Sequence, residues 1–134
     1  MKKIVSITLL FALALICAVP AFASAGDTTV TPYYNNVTRL TNSFSIDENG
    51  LATISFGYTG RSGVTTGGTI DIVLKDANGN TVEDWSFTST SYRYNNSVTY
   101  QLTASGSYTA EINYVISGSG GADDSISKTL TDTY

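Results

Sequence analysis

Residues 70–87 read IDIVLKDANGNTVEDWSF, and their pattern decides the fold. Ile70, Ile72 and Leu74 alternate with Asp71, Val73 and Lys75. That period of two puts one set of side chains on each face of a strand. Asp76-Ala77-Asn78-Gly79-Asn80 then supplies turn chemistry, because glycine takes positive φ without cost and Asp and Asn bond their own backbone. The chain returns through Val82, yet Trp85 and Phe87 have the opposite parity. One extra residue swaps the face of everything after it, so the reading places a bulge at Glu83-Asp84.

Working outward, the same grammar recurs. Leu40, Phe44 and Ile46 share one parity, and Ala52, Ile54, Phe56 and Tyr58 form a second run. Between them, Asp47-Glu48-Asn49-Gly50 tolerates the positive φ angles of a tight hairpin turn. Downstream, Val98, Tyr100 and Leu102 alternate, and Ser105-Gly106 turns the chain. Tyr108, Ala110, Ile112, Tyr114 and Ile116 make the longest clean run, and Ile126, Leu130 and Tyr134 make a last strand. Seven strands at short, regular spacing predict an all-β, antiparallel two-sheet sandwich. A closed barrel is the competing arrangement.

The first 25 residues are a different kind of segment. Met1-Lys2-Lys3 is positive, Ile4 to Val19 is nearly all apolar, and Pro20 precedes the small residues Ala21, Ala23, Ser24 and Ala25. This is the order of a secretory signal peptide, a helix-forming leader cleaved after Ala23 or Ala25. The apolar run is shorter than the roughly 20 residues that span a bilayer. The expectation is therefore a signal peptide over 1–25, a sandwich domain over 26–134, and a secreted, extracellular product with no membrane attachment after cleavage.

Cleavage also removes Lys2, Lys3 and Cys17. Five basic residues then face all 11 acidic ones, a net charge of -6, and no cysteine remains. Without a basic footprint, nucleic acid is not an expected partner. With no histidine anywhere in the chain and no cysteine after the leader, only a serine–lysine pair could supply an activated nucleophile. Lys75 and Lys128 both sit among polar residues of alternating strands. The carboxylate pairs Asp47-Glu48, Glu83-Asp84 and Asp123-Asp124 are sequence neighbours, which face opposite ways on a strand and outward in a turn. No catalytic residue and no cofactor is expected, and the one weak calcium candidate is the loop carrying Asp123 and Asp124.

The hairpin Val73–Val82 resembles one found in many bacterial immunoglobulin-like domains, and Gly106-Ser107-Tyr108-Thr109-Ala110 is similar to their late strand. The resemblance implies an immunoglobulin-like sandwich in which the Tyr108 hydroxyl ties a loop back to the sheet. The chain also looks like the small secreted β-sandwich proteins of Gram-positive bacteria. It lacks the cysteine pair of antibody domains, and Trp85 lies on a different strand from their core tryptophan.

What remains for function is aromatic. Tyr33-Tyr34-Asn35-Asn36 and Tyr92-Arg93-Tyr94-Asn95-Asn96 echo one another ahead of two strands. Tyrosine faces beside amides suit a protein partner or a sugar ring. The candidate surface is Tyr33, Tyr34, Trp85, Tyr92, Tyr94 and Asn95, serving a non-catalytic protein that binds a partner at the cell exterior. The alternative, a carbohydrate-binding module, requires Trp85 and at least two of Tyr33, Tyr34, Tyr92 and Tyr94 to be coplanar and exposed.

Overall fold

A computed structural model describes residues 33–134; the leader and both cleavage sites lie outside them. The described residues form seven strands: β1 (Val37–Ile46), β2 (Leu51–Gly60), β3 (Thr65–Lys75), β4 (Thr81–Ser89), β5 (Arg93–Gln101), β6 (Ser107–Gly118) and β7 (Asp124–Thr133). All pair antiparallel in two sheets, of order β1-β2-β5 and β4-β3-β6-β7. The described residues form a two-sheet sandwich, not a closed barrel. Three hairpins stay within a sheet, while the β2–β3, β4–β5 and β5–β6 connections cross between sheets.

Position within a sheet decides how deeply each alternating run is buried. The middle strands supply most of the core: Ala52, Ile54, Phe56 and Tyr58 from β2, Ile70, Ile72 and Leu74 from β3, and Ala110, Ile112, Tyr114 and Ile116 from β6. Leu40, Phe44 and Ile46 alternate just as cleanly but are half-buried, because β1 is an edge strand. Fully burying an aliphatic side chain stabilises by roughly 1.5–3 kcal/mol, so β2, β3 and β6 dominate the folding energy. The buried tyrosines keep their hydroxyls bonded. Tyr58 donates to Ser91 O at 2.7 Å, Tyr108 to Ala104 O at 2.7 Å, and Tyr114 to Asn42 Oδ1. The Tyr108 bond ties the β5–β6 loop back to β6, as the resemblance implied.

Two expectations need correction. The bulge on β4 is one residue earlier than Glu83-Asp84: Leu74 pairs with Glu83 and Lys75 with Thr81, leaving Val82 as the extra residue. Val82, Trp85 and Phe87 therefore all pack against the core despite their mixed parity. The Asn-Gly turns, for their part, use positive φ only at glycine, Gly50 at 80° and Gly79 at 83°. The reason is the aspartate four residues before each loop's end. Asp47 Oδ1 accepts the N–H groups of Asn49 and Leu51 at 2.9 and 2.8 Å. Asp76 Oδ1 accepts those of Asn78 and Asn80, both at 2.9 Å. In both loops the glycine N–H bonds back to the aspartate carbonyl at 3.0 Å. A type I turn closed by a left-handed glycine satisfies all of these bonds, which a two-residue turn would not.

One side of the sandwich is closed by carboxylates. β1 and β7 belong to different sheets and share no ladder, yet Asp132 Oδ2 accepts the Ile46 N–H at 2.7 Å. At the other end of that seam, Asp124 accepts three backbone N–H groups, from Asn35, Asn36 and Val37, at 2.7–2.8 Å.

Candidate functional site

The site is built on a polar anchor. Asn36 is 0 % exposed, and its amide donates to Ile116 O at 3.3 Å and Ala122 O at 3.1 Å while its oxygen accepts the Gly120 N–H at 3.2 Å. Its backbone carbonyl accepts from the Thr65 hydroxyl and from Arg61 N. Asp124, 5 % exposed, holds the flanking N–H groups from below. These bonds fix the residues just before β1 against the β2–β3 and β6–β7 loops, so Tyr33 and Tyr34 leave a rigid base.

Around that base lie most of the cations. The Arg61 guanidinium sits 5.8 Å from the Tyr33 ring centroid and donates to Tyr34 O at 3.3 Å. Next to Arg61, Gly60 N donates to Tyr92 O at 2.7 Å, and Arg93 lies 5.2 Å from the Tyr92 ring centroid. Arg39, Thr59 and Arg93 share one cross-strand row on the outer face of the three-stranded sheet. Lys128 joins Arg39, Tyr34, Val37, Thr38 and Leu40 in lining a cleft of about 240 Å³. Of the five basic residues described, only Lys75 stands apart, paired with Glu111 at 2.7 Å. An acidic chain thus carries a cationic, tyrosine-bearing end, and no carboxylate lines its cleft.

The six residues singled out from sequence do not form one surface. Tyr33 is 83 % exposed, and Tyr34 and Tyr92 are half-buried at the same Gly60–Arg61 corner. Tyr94 pairs with Tyr58, and its ring packs inward at 6.4 Å from both Phe56 and Tyr58. Trp85 lies on β4 in the other sheet, half-buried against the core opposite Ile72. Asn95 is exposed on the outer face, in register with Gly57. A sugar platform joining Trp85 to exposed tyrosines is not formed, because strand parity turns Trp85 and Tyr94 into the space between the sheets.

Arg39, Arg61 and Lys128 were missed as site residues, since only the pairing of β1 with β2 and the approach of β7 bring them together. The two Tyr-Asn-Asn echoes also part company: Asn36 is the buried anchor, whereas Asn96 is exposed on an edge strand. The calcium candidate divides as well. Asp123 is exposed, while both oxygens of Asp124 already accept backbone N–H groups. Among the described residues no group of three or more Asp, Glu, His or Cys is placed to hold a metal ion. A larger, shallow depression of about 450 Å³ runs past Gly67 and Gly68, with Asp123 as its single ionisable group and no aromatic ring. A comparison of the chain with protein-family models gives no match, and neither does one with curated proteins.

Proposed function

We propose that this chain is an exported, non-catalytic binding module of immunoglobulin-like topology that grips an acidic protein partner with its Arg61–Tyr33–Tyr92–Arg93 end. The observation that carries the reading is the placing of four of the five described basic residues beside Tyr33, Tyr34 and Tyr92, Arg61 at the exposed Tyr33 ring, although the described residues carry ten acidic groups. Arginine and tyrosine are the residues that dominate protein interfaces, since they combine planar donors with large apolar area. The basic end also steers an acidic partner, an effect that falls with salt.

The leader pattern of residues 1–25 supports export. Immunoglobulin-like topology is supported by the Tyr108–Ala104 bond and by a strand order that differs from the seven-strand constant-type arrangement only in β4, which pairs with β3 instead of β5. The non-catalytic reading is supported by what the carboxylates do. Asp47 and Asp76 hold turns, Asp124 and Asp132 hold the β1–β7 seam, Glu111 pairs with Lys75, and Asp71 accepts from Ser86.

The test is capture of partners from the surrounding medium and from neighbouring cell surfaces by immobilised protein and by an Arg61→Ala/Tyr92→Ala variant, at low and at high salt. A protein retained by the wild type, lost with the variant and released by salt is the expected result. Equal capture by both forms refutes the site. Glycan-array binding that depends on Trp85, with no protein captured, moves the reading to the carbohydrate alternative.

A further inference from the structure

β5 pairs with β2 on one side, and among the described residues no strand pairs with its other side. Two bonds just beyond the ladder tell which backbone groups are spare. Gly60 N donates to Tyr92 O at 2.7 Å, and Leu102 N donates to Gly50 O at 2.9 Å. Both pairs continue the register that sets Tyr58 opposite Tyr94 and Ala52 opposite Tyr100. In an antiparallel ladder, bonded pairs alternate with non-bonded ones. The even-numbered residues of β5 therefore turn their N–H and C=O groups toward β2, and the odd-numbered ones turn theirs outward. Of those spare donors, Arg93 N reaches the Ser91 hydroxyl at 3.3 Å and Ser97 N reaches the adjacent Asn96 side chain at 2.9 Å.

The other three edges are guarded in the ways that discourage strand addition. β1 carries an irregularity between Val37 and Arg39, and β4 carries the Val82 bulge beside Glu83-Asp84. β1 and β7 are stitched to one another by Asp124 and Asp132. β5 has none of this. Its nine residues keep unbroken register with β2, contain no proline, and include a single charge, Arg93.

We propose that β5 pairs with β5 of a second copy about a two-fold axis through Ser97, joining the two three-stranded sheets into one of six strands. The occupant follows from the strand's own sequence. Run antiparallel against itself about Ser97, it sets Arg93 opposite Gln101, Tyr94 opposite Tyr100, Asn95 opposite Thr99 and Asn96 opposite Val98. Odd residues face odd residues, so the spare groups meet one another. No like charges are opposed, and two tyrosine–tyrosine pairs form on the inner face, where aromatic pairs stabilise a ladder. Elsewhere among the described residues ten acidic groups against four basic ones make two copies repel, and β5 is a strand without an acid. The pairing also sets Tyr100 of the second copy beside the half-buried Tyr94, on the flank where Phe87 packs 5.0 Å from Phe56. An interface of this kind is isologous and closed, so it ends at the dimer.

Sedimentation equilibrium across micromolar to millimolar concentration, with residue-resolved amide exchange, tests this independently of any partner at the Arg61 end. The expected result is a mass rising to twice that of the chain, with exchange at Asn95, Ser97 and Thr99 slowing as concentration rises while Asn96 and Val98 stay unchanged. Ser97→Pro removes an N–H that points away from β2, so it is expected to keep the melting transition and remain at single-chain mass. Should that variant fail to fold, Ser97→Lys decides the matter. It places like charges on the axis and is expected to weaken association about fivefold, and Asn95→Lys with Thr99→Glu is expected to associate at least as well as wild type. A single-chain mass for the wild type throughout overturns the proposal. So does concentration-independent exchange at the odd positions, or association of the folded Ser97 variants equal to wild type.

Discussion

Replacing Asp124 with alanine withdraws the acceptor of three backbone N–H groups at once. Asn36 and Val37 lose theirs in a buried setting, while Asn35, partly exposed, can turn to water. Each buried donor left without a partner costs about 1–3 kcal/mol, so two of them cost about 3–4 kcal/mol. In a domain of about 100 residues, 1 kcal/mol moves the melting midpoint by roughly 4–8 °C. The expected fall is about 15 °C or more, and the protein stays folded at room temperature if its stability lies in the usual range of about 5–15 kcal/mol. Asp124→Asn, which keeps one carbonyl oxygen, is expected to fall in between. Asp123→Ala, at an exposed position next door, is expected within about 0.5 kcal/mol of wild type. Urea denaturation reads the free energy, an unchanged slope verifying that the same surface is exposed. Faster amide exchange at Asn36 and Val37 locates the loss. An Asp124→Ala variant within 0.5 kcal/mol of wild type would refute the idea that this carboxylate fastens β1 to the β7 side.

Alkaline pH probes the core through Tyr114, a ring only 1 % exposed, where burial pushes the hydroxyl up to about 12 from an ordinary 10. The folded state favours the protonated phenol, so this contribution is complete below pH 10 and is lost as pH rises from 10 through 12. The loss is on the order of 2 kcal/mol, measurable as the wild-type difference from Tyr114→Phe in urea midpoints between pH 9 and 11.5. Glycine substitutions separate backbone strain from collision. Gly79→Ala meets open space and pays only for φ +83°, about 1–2 kcal/mol. Gly57→Ala drives its Cβ onto Asn95 Oδ1 and within 2.5 Å of the Tyr94 carbonyl, so it is expected to melt lower than Gly79→Ala.

Local chemistry made much of the fold legible in the sequence. Alternation along Ile70–Leu74 and Tyr108–Ile116 named the strands and the face each would bury, because side chains of a pleated strand must point to opposite sides. The change of parity between Val82 and Trp85 required a bulge within a residue of where it lies. Asp-x-Asn-Gly marked both hairpin loops, since the aspartate, the amide-rich backbone and the glycine all act within five residues.

Pairing order, and with it the site, is a property of contacts distant in sequence. Nothing local distinguishes Phe44 on an edge from Phe56 in the middle of the same sheet, yet one is half-buried and the other fully. Tyr33 and Arg61 meet, and Asp124 reaches Asn36, across spans of 28 and 88 residues. The spacing of neighbouring residues carries no information about such meetings. Inside the aromatic motifs the sequence determined which residue types were present; the sheets decided that Trp85 and Tyr94 face the core while Arg61 meets Tyr33 and Arg93 meets Tyr92. Alternation is written by adjacent residues, whereas proximity is written by the closing of one sheet over another.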